Sequence, residues 1–337
     1  MSTLPACKET IMSFRASELS RRAVLSGLAA AATSGLVRPG FAAGPMANVQ
    51  LPAAYRFKVG AFECTVVSDG PLKLGTVSAE MFKGYTQERI DEILAANFLN
   101  NDFLIEQNAL VVNTGEKLVL IDTGIGFRRV YGPRSGRLLA NLRGAGIDPA
   151  SIDVVALSHA HPDHVWGLVG EDGKPNFPNA QIHITQADLE FWTDEGKLSH
   201  PALGPAIGPI RNTLLPLRDR MTFLKDGQDV VSGVQALSSP GHTVGHTSFV
   251  ISSQGSSIVN IADLGHLPLL QMENPRAEFA RDTDPKQGVA SRLRVFDLVA
   301  SRKVPIVAYH FPWPGIGHIA KRGEGYRYVA ADMQTVL

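Results

Sequence analysis

The chain has 337 residues, 44% of them apolar and 7% aromatic, with 32 basic residues against 32 acidic ones. That length can bury a sizeable core, and the charge balance leaves no net field to attract nucleic acid or an anionic membrane. Beyond the N-terminal segment there is no low-complexity tract, no evident repeat and no apolar run long enough to span a bilayer.

In the N-terminal stretch SELSRRAVLSGLAAAATSGLVRPGFAAGPMA, Arg21 and Arg22 precede an apolar run from Ala23 to Val37, and small residues follow around Ala42 and Ala43. The run has no helical stripe and stops at a Pro-Gly break, as a cleaved targeting segment does. Its SRRAVL core resembles a twin-arginine export signal, with Val24 where Phe is commoner. The expectation is a signal over residues 1–43, starting at Met1 or Met12, and a single catalytic domain over 44–337 that is exported to the periplasm and keeps no stable membrane anchor. Cys7 falls in the signal, which leaves Cys64 alone and excludes an intramolecular disulfide in the mature chain. Cys64 sits in an alternating strand pattern and is read as a core residue.

Farther along, strands are expected at 55–68, 108–113 and 117–121, the last two joined by a turn at Thr114, Gly115 and Glu116. TQERIDEILAANF from Thr86 and GRLLANLRGAG from Gly136 have helical spacing with a cap or a glycine stop. Further strands fit 152–157, 180–184, 234–238, 247–252, 256–261 and 305–309, and a helix fits 285–301. The Gly- and Pro-rich stretch 198–216 reads as a loop with a short embedded helix that shapes a substrate entrance.

The densest chemistry lies in SHAHPDHVWG, residues 158–167, where His159, His161, Asp163 and His164 directly follow an apolar strand. Pro162 ends the ladder, and Asp163 is expected to cap a following helical turn. Imidazoles with one or two carboxylates suit zinc or a similar divalent ion, whereas calcium and magnesium sites use oxygen ligands. Three further strands end on a donor in the same way: His242 follows VQAL and a Pro-Gly turn, Asp263 ends SSIVNIAD, and His310 ends PIVAYH. Donors delivered repeatedly by strand ends are the usual form of a site on an α/β scaffold.

These motifs resemble those of the metallo-β-lactamase-fold hydrolases, whose pattern is HxHxDH, a distant His after a Gly, an Asp after a strand and a late His. LVLIDTG, Leu118 to Gly124, matches an early turn of that family. NTGEKLVLIDTG, YGPRSGRLLANLRGAG and FPWPGIGHI resemble the methyl parathion hydrolase branch, which is related to quorum-quenching lactonases. The resemblance covers the chain from about Tyr55 onward and implies an α/β fold, an αββα sandwich of two mixed sheets flanked by helices. It also implies two divalent metal ions, most simply zinc. His159, His161 and His242 would hold the first, Asp163, His164 and His310 the second, and Asp263 would bridge them. A hydroxide shared by two such ions is the expected nucleophile, and lactones, carboxylic esters or organophosphate triesters are the expected small-molecule substrates. A homodimer is compatible with this reading.

Asp122 is expected to orient the metal loop, and Asp163 and His266 to take part in catalysis. Tyr131 and Trp192 match aromatic positions lining the entrance in the methyl parathion hydrolase branch, although helix packing explains Trp192 equally well. His266 departs from the pattern, because the lactonase branch has Tyr there and the phosphotriesterase branch an apolar residue. An imidazole at that position can hydrogen-bond a carbonyl oxygen or protonate a leaving alkoxide, which favours an ester or lactone. His246 and His318 are read as structural hydrogen-bonders near the site, and His183 and His200 as ordinary polar residues. Two alternatives stay open: a β-lactamase, although those enzymes typically lack the bridging aspartate, and a noncatalytic metal-binding protein.

Overall fold

The computed structural model describes residues 50–337 apart from Pro52, Leu74 and Phe103. The twin-arginine segment, with Arg21, Arg22 and Cys7, lies outside the described residues.

Two seven-stranded sheets form the centre of the molecule. In the first, Ala54–Val59, Phe62–Ser68, Asn108–Asn113 and Leu118–Ile121 run antiparallel, and Val154–Ala156, Gln181–Ile184 and Met221–Phe223 continue it in parallel. The stretch 55–68, expected as one strand, is a hairpin, because Gly60 takes a left-handed φ of 57° that breaks the ladder. The second sheet runs Asp229–Val231, Val234–Ser238, Thr247–Ser253, Ser256–Ala262, Ile306–Ala308, Ile316–Arg322 and Gly325–Ala330. Its one parallel pair, Ser256–Ala262 with Ile306–Ala308, is joined through the helix Pro285–Arg302. Asp284 caps that helix by accepting from the Gln287 N–H at 3.0 Å, and Pro285 occupies its first turn.

Strand alternation decides the layering. Val66, Leu110, Val112, Val119 and Ile121 point between the sheets and meet Phe249, Ile251, Ile258 and Val307. Their neighbours Val67, Val111 and Leu120 face the other way, into an outer core with Leu142, Leu189, Trp192 and Ile210. Those outer partners come from the helices Leu138–Gly144, Gln186–Thr193 and Gly204–Leu214. Val295, Phe296 and Val299 of Pro285–Arg302 cover the far side of the second sheet. The result is the expected helix–sheet–sheet–helix sandwich. Cys64 is fully buried in the central core, and burial pushes its thiol up to about 12, so it is no nucleophile.

The helix Gln87–Ala96 shows how a short amphipathic segment is fixed at both ends. Thr86 accepts from the Arg89 N–H, and Ile90, Ile93 and Leu94 form its buried face. At its end, the Leu99 N–H reaches the Leu94 carbonyl at 2.9 Å and the Phe98 N–H reaches Ala95 at 3.1 Å. This is a Schellman turn, with Phe98 at φ 59° where glycine is usual.

Candidate metal centre

Each donor is delivered by a strand that ends at the same edge of the sandwich. Val154–Ala156 leads into the 158–164 loop, in which Pro162 takes the first position of the helix Pro162–Val165 and His161 takes the extended cap position. The expected cap at Asp163 is therefore wrong: proline needs no donor at the first helical position, so the turn starts one residue earlier. Asp163 sits in the first turn instead. Val234–Ser238 delivers His242 through Gly241, at φ 129°, where an added Cβ would lie 2.0 Å from the Gly288 nitrogen. Asp122 and Asp263 follow strands that end in non-glycine left-handed residues, Asp122 itself at φ 64° and Ala262 at φ 43°. Such conformations cost on the order of 1–3 kcal/mol and persist where the surroundings hold them.

Four of these donors, His159, His161, His242 and Asp263, have one ligand atom each within 4.8 Å of one another, and so do Asp163, His164 and His310. Asp263 joins the two sets. Its Oδ2 lies 3.3 Å from His242 Nε2 and 3.7 Å from His159 Nε2 on one side, and 3.4 Å from His164 Nε2 and 3.1 Å from His310 Nε2 on the other. His159 Nε2 and His161 Nδ1 are 3.0 Å apart, and Asp163 Oδ2 is 3.5 Å from His164 Nε2 and 3.4 Å from His310 Nε2. Ligands bound tetrahedrally at about 2.0–2.1 Å are separated by roughly 3.3 Å, so the spacing fits zinc-sized ions. His164 Nε2, His242 Nε2 and Asp263 Oδ1 are buried with no hydrogen-bond partner. Burial without a partner is costly for such atoms unless a cation takes their lone pairs.

The opposite ring nitrogens of His159, His164, His242 and His310 are occupied, and this aims their lone pairs inward. His164 Nδ1 faces Asp122 Oδ2 at 2.9 Å, His242 Nδ1 faces Asp282 Oδ1 at 2.8 Å, and His310 Nδ1 meets the Glu106 carbonyl at 2.8 Å. His159 Nδ1 meets Ser158 Oγ at 3.0 Å, and that hydroxyl donates to Asp122 Oδ2 at 2.7 Å. Asp122 thus contacts His164 directly and His159 through the Ser158 hydroxyl. Sequence reasoning missed Asp282 and also Asp188, which accepts from the Ala160 N–H, the Thr243 hydroxyl and the Gly245 N–H and so ties the two histidine loops together. Burial pushes the Asp188 carboxyl up to about 6. Asp69, likewise buried, accepts from the Ile125, Gly136 and Leu138 N–H groups and anchors both ends of the loop that carries Tyr131.

Charge is finely divided in the cluster. Burial works against a charged His242, but Asp263 and Asp282 together raise its pKa to about 9. Burial holds His159 and His161 well below their ordinary value. Burial also opposes a charged Asp263, yet His310, His164 and His242 hold its carboxyl well below the usual carboxylate range. Metal ligation needs neutral imidazoles, so loading competes with protons on the raised histidines.

The cluster floors a cavity of about 580 Å³ whose walls include Tyr131, Trp192, Phe191, Leu203 and Arg281. Tyr131 and Trp192 therefore both face the cavity, and Trp192 packs edge-on to His161, with ring centroids 4.8 Å apart, while belonging to the outer core. His200 also lines the cavity, and its Nδ1 accepts from the Ala202 and Leu203 N–H groups at the start of Gly204–Leu214. His266 reaches the centre: its Nε2 is 3.2 Å from Asp263 Oδ2, its Nδ1 is buried without a partner, and its ring stacks near Phe279 and His310. His246 is structural as expected, since its Nε2 accepts the Asp263 N–H at 3.1 Å. The placement expected for His318 is wrong. It is exposed on Ile316–Arg322 and lines a separate surface groove of about 950 Å³ that shares no residue with the cluster.

Residues 104–305 match the family model of the metallo-beta-lactamase superfamily, and the chain belongs to that superfamily. The N-acyl homoserine lactonase of Bacillus sp is 28% identical over 175 residues, 51% of this chain and 61% of that protein. The lactamase-like protein ptaB of Pestalotiopsis fici is 26% identical over 159 residues, 47% of this chain and 40% of its own length. The chain thus spans about half the length of these relatives. Among solved structures, AidC, a dizinc quorum-quenching lactonase in complex with a product, N-hexanoyl-L-homoserine, superimposes with a TM-score of 0.79 at 29% identity, covering 85% of this chain and 99% of that one. The hydrolase AbOPH, of the beta-lactamase superfamily, gives a TM-score of 0.77 at 30% identity, covering 85% and 100%.

Proposed function

We propose that the protein is a dinuclear, zinc-dependent hydrolase of lactones and carboxylic esters, with organophosphate triesters as secondary substrates. The observation that carries this reading is Asp263: one buried carboxylate oxygen is shared by two sets of His and Asp donors at the floor of a cavity. His159, His161, His242 and Asp263 would hold one ion, and Asp163, His164, His310 and the same Asp263 the other. Bound there, the ions supply an activated water at neutral pH and Lewis-acid polarisation of the scissile group.

The chain's own residues do the rest. Asp122, Asp282 and the Glu106 carbonyl fix the imidazole orientations, while Trp192 and Tyr131 wall the cavity and limit water around the substrate. Burial lowers the His266 pKa well below its ordinary value, which leaves the imidazole neutral. Of the two roles open to it, hydrogen bonding a substrate oxygen is favoured over proton donation to the leaving group. A pure metal-binding protein has no need of a 580 Å³ cavity over its ligands. AidC, a lactonase, resembles this chain over most of its length, and this supports the lactone and ester classes. Export to the periplasm through the Arg21–Arg22 segment is part of the same proposal.

The test is a hydrolysis screen of zinc-loaded protein against acyl-homoserine lactones, aryl esters, methyl parathion and a cephalosporin. Turnover concentrated on lactones and esters is expected. Turnover of the cephalosporin alone, or of none of the four, would overturn the proposal.

A further inference from the structure

Between Asp122 and Asp148 the chain carries five arginines, Arg128, Arg129, Arg134, Arg137 and Arg143, and no acidic residue. A chain with no net charge overall therefore concentrates positive charge on one short stretch. Among the described residues, none of the five arginines forms an ion pair. The Arg128 guanidinium lies over the Phe127 and Trp166 rings, 4.7 and 5.1 Å from their centroids, and the other four side chains are exposed. Glu106 feels the charge of Arg134 without pairing with it. Asp69, at the base of the loop, is buried, and three backbone N–H groups take up its carboxylate.

The middle of this stretch, residues 126–136, is a compact loop with closed ends. An added Cβ on Gly136 would lie 2.2 Å from the Gly126 carbonyl oxygen, and both glycines take a positive φ. At the tip, the Gly132 N–H donates to the Arg129 carbonyl at 3.0 Å, so Arg129 to Gly132 form a tight turn. One side of that turn is the cavity wall: Tyr131 lines the cavity, and its carbonyl accepts the Lys73 N–H at 3.2 Å. Its neighbour Val130 is 61% exposed, and Phe127 is 41% exposed on the same loop. Exposed apolar side chains rimmed by unpaired cations mark an interaction surface rather than an ordinary solvated loop.

We propose that the 126–136 loop docks the protein reversibly on an anionic phospholipid bilayer. Phe127 and Val130 enter the interface, and Arg129, Arg134 and the adjoining Arg137 meet the headgroups. Charge complementarity selects an anionic partner, and the two apolar side chains select a bilayer over a soluble polyanion, which would leave Val130 in water. Docking sets the mouth of the cavity beside the lipid, where apolar small molecules concentrate. The proposal goes beyond the hydrolase reading and is tested by binding alone, so either can fail without the other.

The experiment is co-sedimentation of the purified protein with vesicles of phosphatidylcholine, alone or with one third phosphatidylglycerol. Binding to the mixed vesicles only is expected, and it should fall as NaCl is raised from 0.1 to 0.5 M, because added salt screens the arginines. Each arginine at an anionic surface contributes about fivefold in partitioning, so Arg129→Gln with Arg134→Gln should weaken binding by roughly 25-fold. Phe127→Ser with Val130→Ser should weaken it by at least about tenfold. Urea unfolding midpoints confirm that the variants are folded, and Val130→Asp, at an exposed tip, carries the apolar test if the double variant is not. In Phe127→Trp the added emission should shift to the blue on mixed vesicles and stay unshifted on phosphatidylcholine. Binding to neither vesicle, equal binding to both, or mixed-vesicle binding that survives the loop substitutions would overturn the proposal. So would capture of heparin without vesicle binding, the mark of a polyanion site.

Discussion

Asp282→Ala should separate the two halves of the metal cluster. Asp282 lines the cavity and contacts the donor set through His242, whose Nδ1 lies 2.8 Å from its Oδ1. The other set of donors is oriented independently, by Asp122 on His164 and by the Glu106 carbonyl on His310. Losing a carboxylate that orients a ligating histidine typically weakens metal binding about 10–100-fold, so the ion held by His159, His161 and His242 should weaken by that factor and its neighbour much less. The substitution also leaves Arg292 buried, 1% exposed, without the carboxylate 3.7 Å from its guanidinium. Its bonds to the Leu264, Pro275 and Ala277 carbonyls remain, which puts the folding cost near the lower end of the about 3–5 kcal/mol expected for breaking a buried pair. Asp282→Asn keeps the volume and an acceptor for His242, so its metal loss should be smaller. Competition with a chromophoric chelator resolves the two binding steps, and urea unfolding of the metal-free variants gives the stability. Equal weakening of both steps, or of neither, would refute the assignment of Asp282 to one ion.

Three further outcomes are expected. His266→Phe, compared at equal metal content, should reduce lactone turnover by at least about tenfold, the loss expected when one hydrogen bond of about 1.5–3 kcal/mol to a developing charge is removed; turnover within about twofold of wild type would exclude a hydrogen bond from His266 to the reacting oxygen. Phe98→Gly should stabilise the protein by about 1 kcal/mol in urea unfolding, because it relieves a left-handed non-glycine residue whose ring is 99% exposed. A destabilised Phe98→Gly would show that the ring makes contacts that matter. Replacing both Arg21 and Arg22 with Lys should retain the protein in the cytoplasm with its signal uncleaved, and unaltered periplasmic delivery would argue against the twin-arginine assignment.

The ligands were readable in the sequence because each one is attached to a local signal: a short apolar strand that stops at a His or an Asp. The residues that aim them were not. Asp282 lies 40 positions from His242 and Asp188 lies 28 from Ala160, so only the folded topology shows the pairing. The misplacement of His318 has the same origin. It follows a strand-end ligand in sequence, but the strand Ile316–Arg322 turns back antiparallel along Ile306–Ala308 and carries His318 away to the surface. The cap assigned to Asp163 failed for a local reason: Pro162 fits the first helical position better than it fits a loop ahead of the helix.

Elemental analysis of the purified protein, wild type beside Asp263→Ala, tests the shared carboxylate most directly. The account predicts about two divalent ions per wild-type chain, with zinc restoring activity after chelation, and a sharp loss of bound metal in the variant. One tightly held ion in the wild type, unchanged by Asp263→Ala, would contradict it.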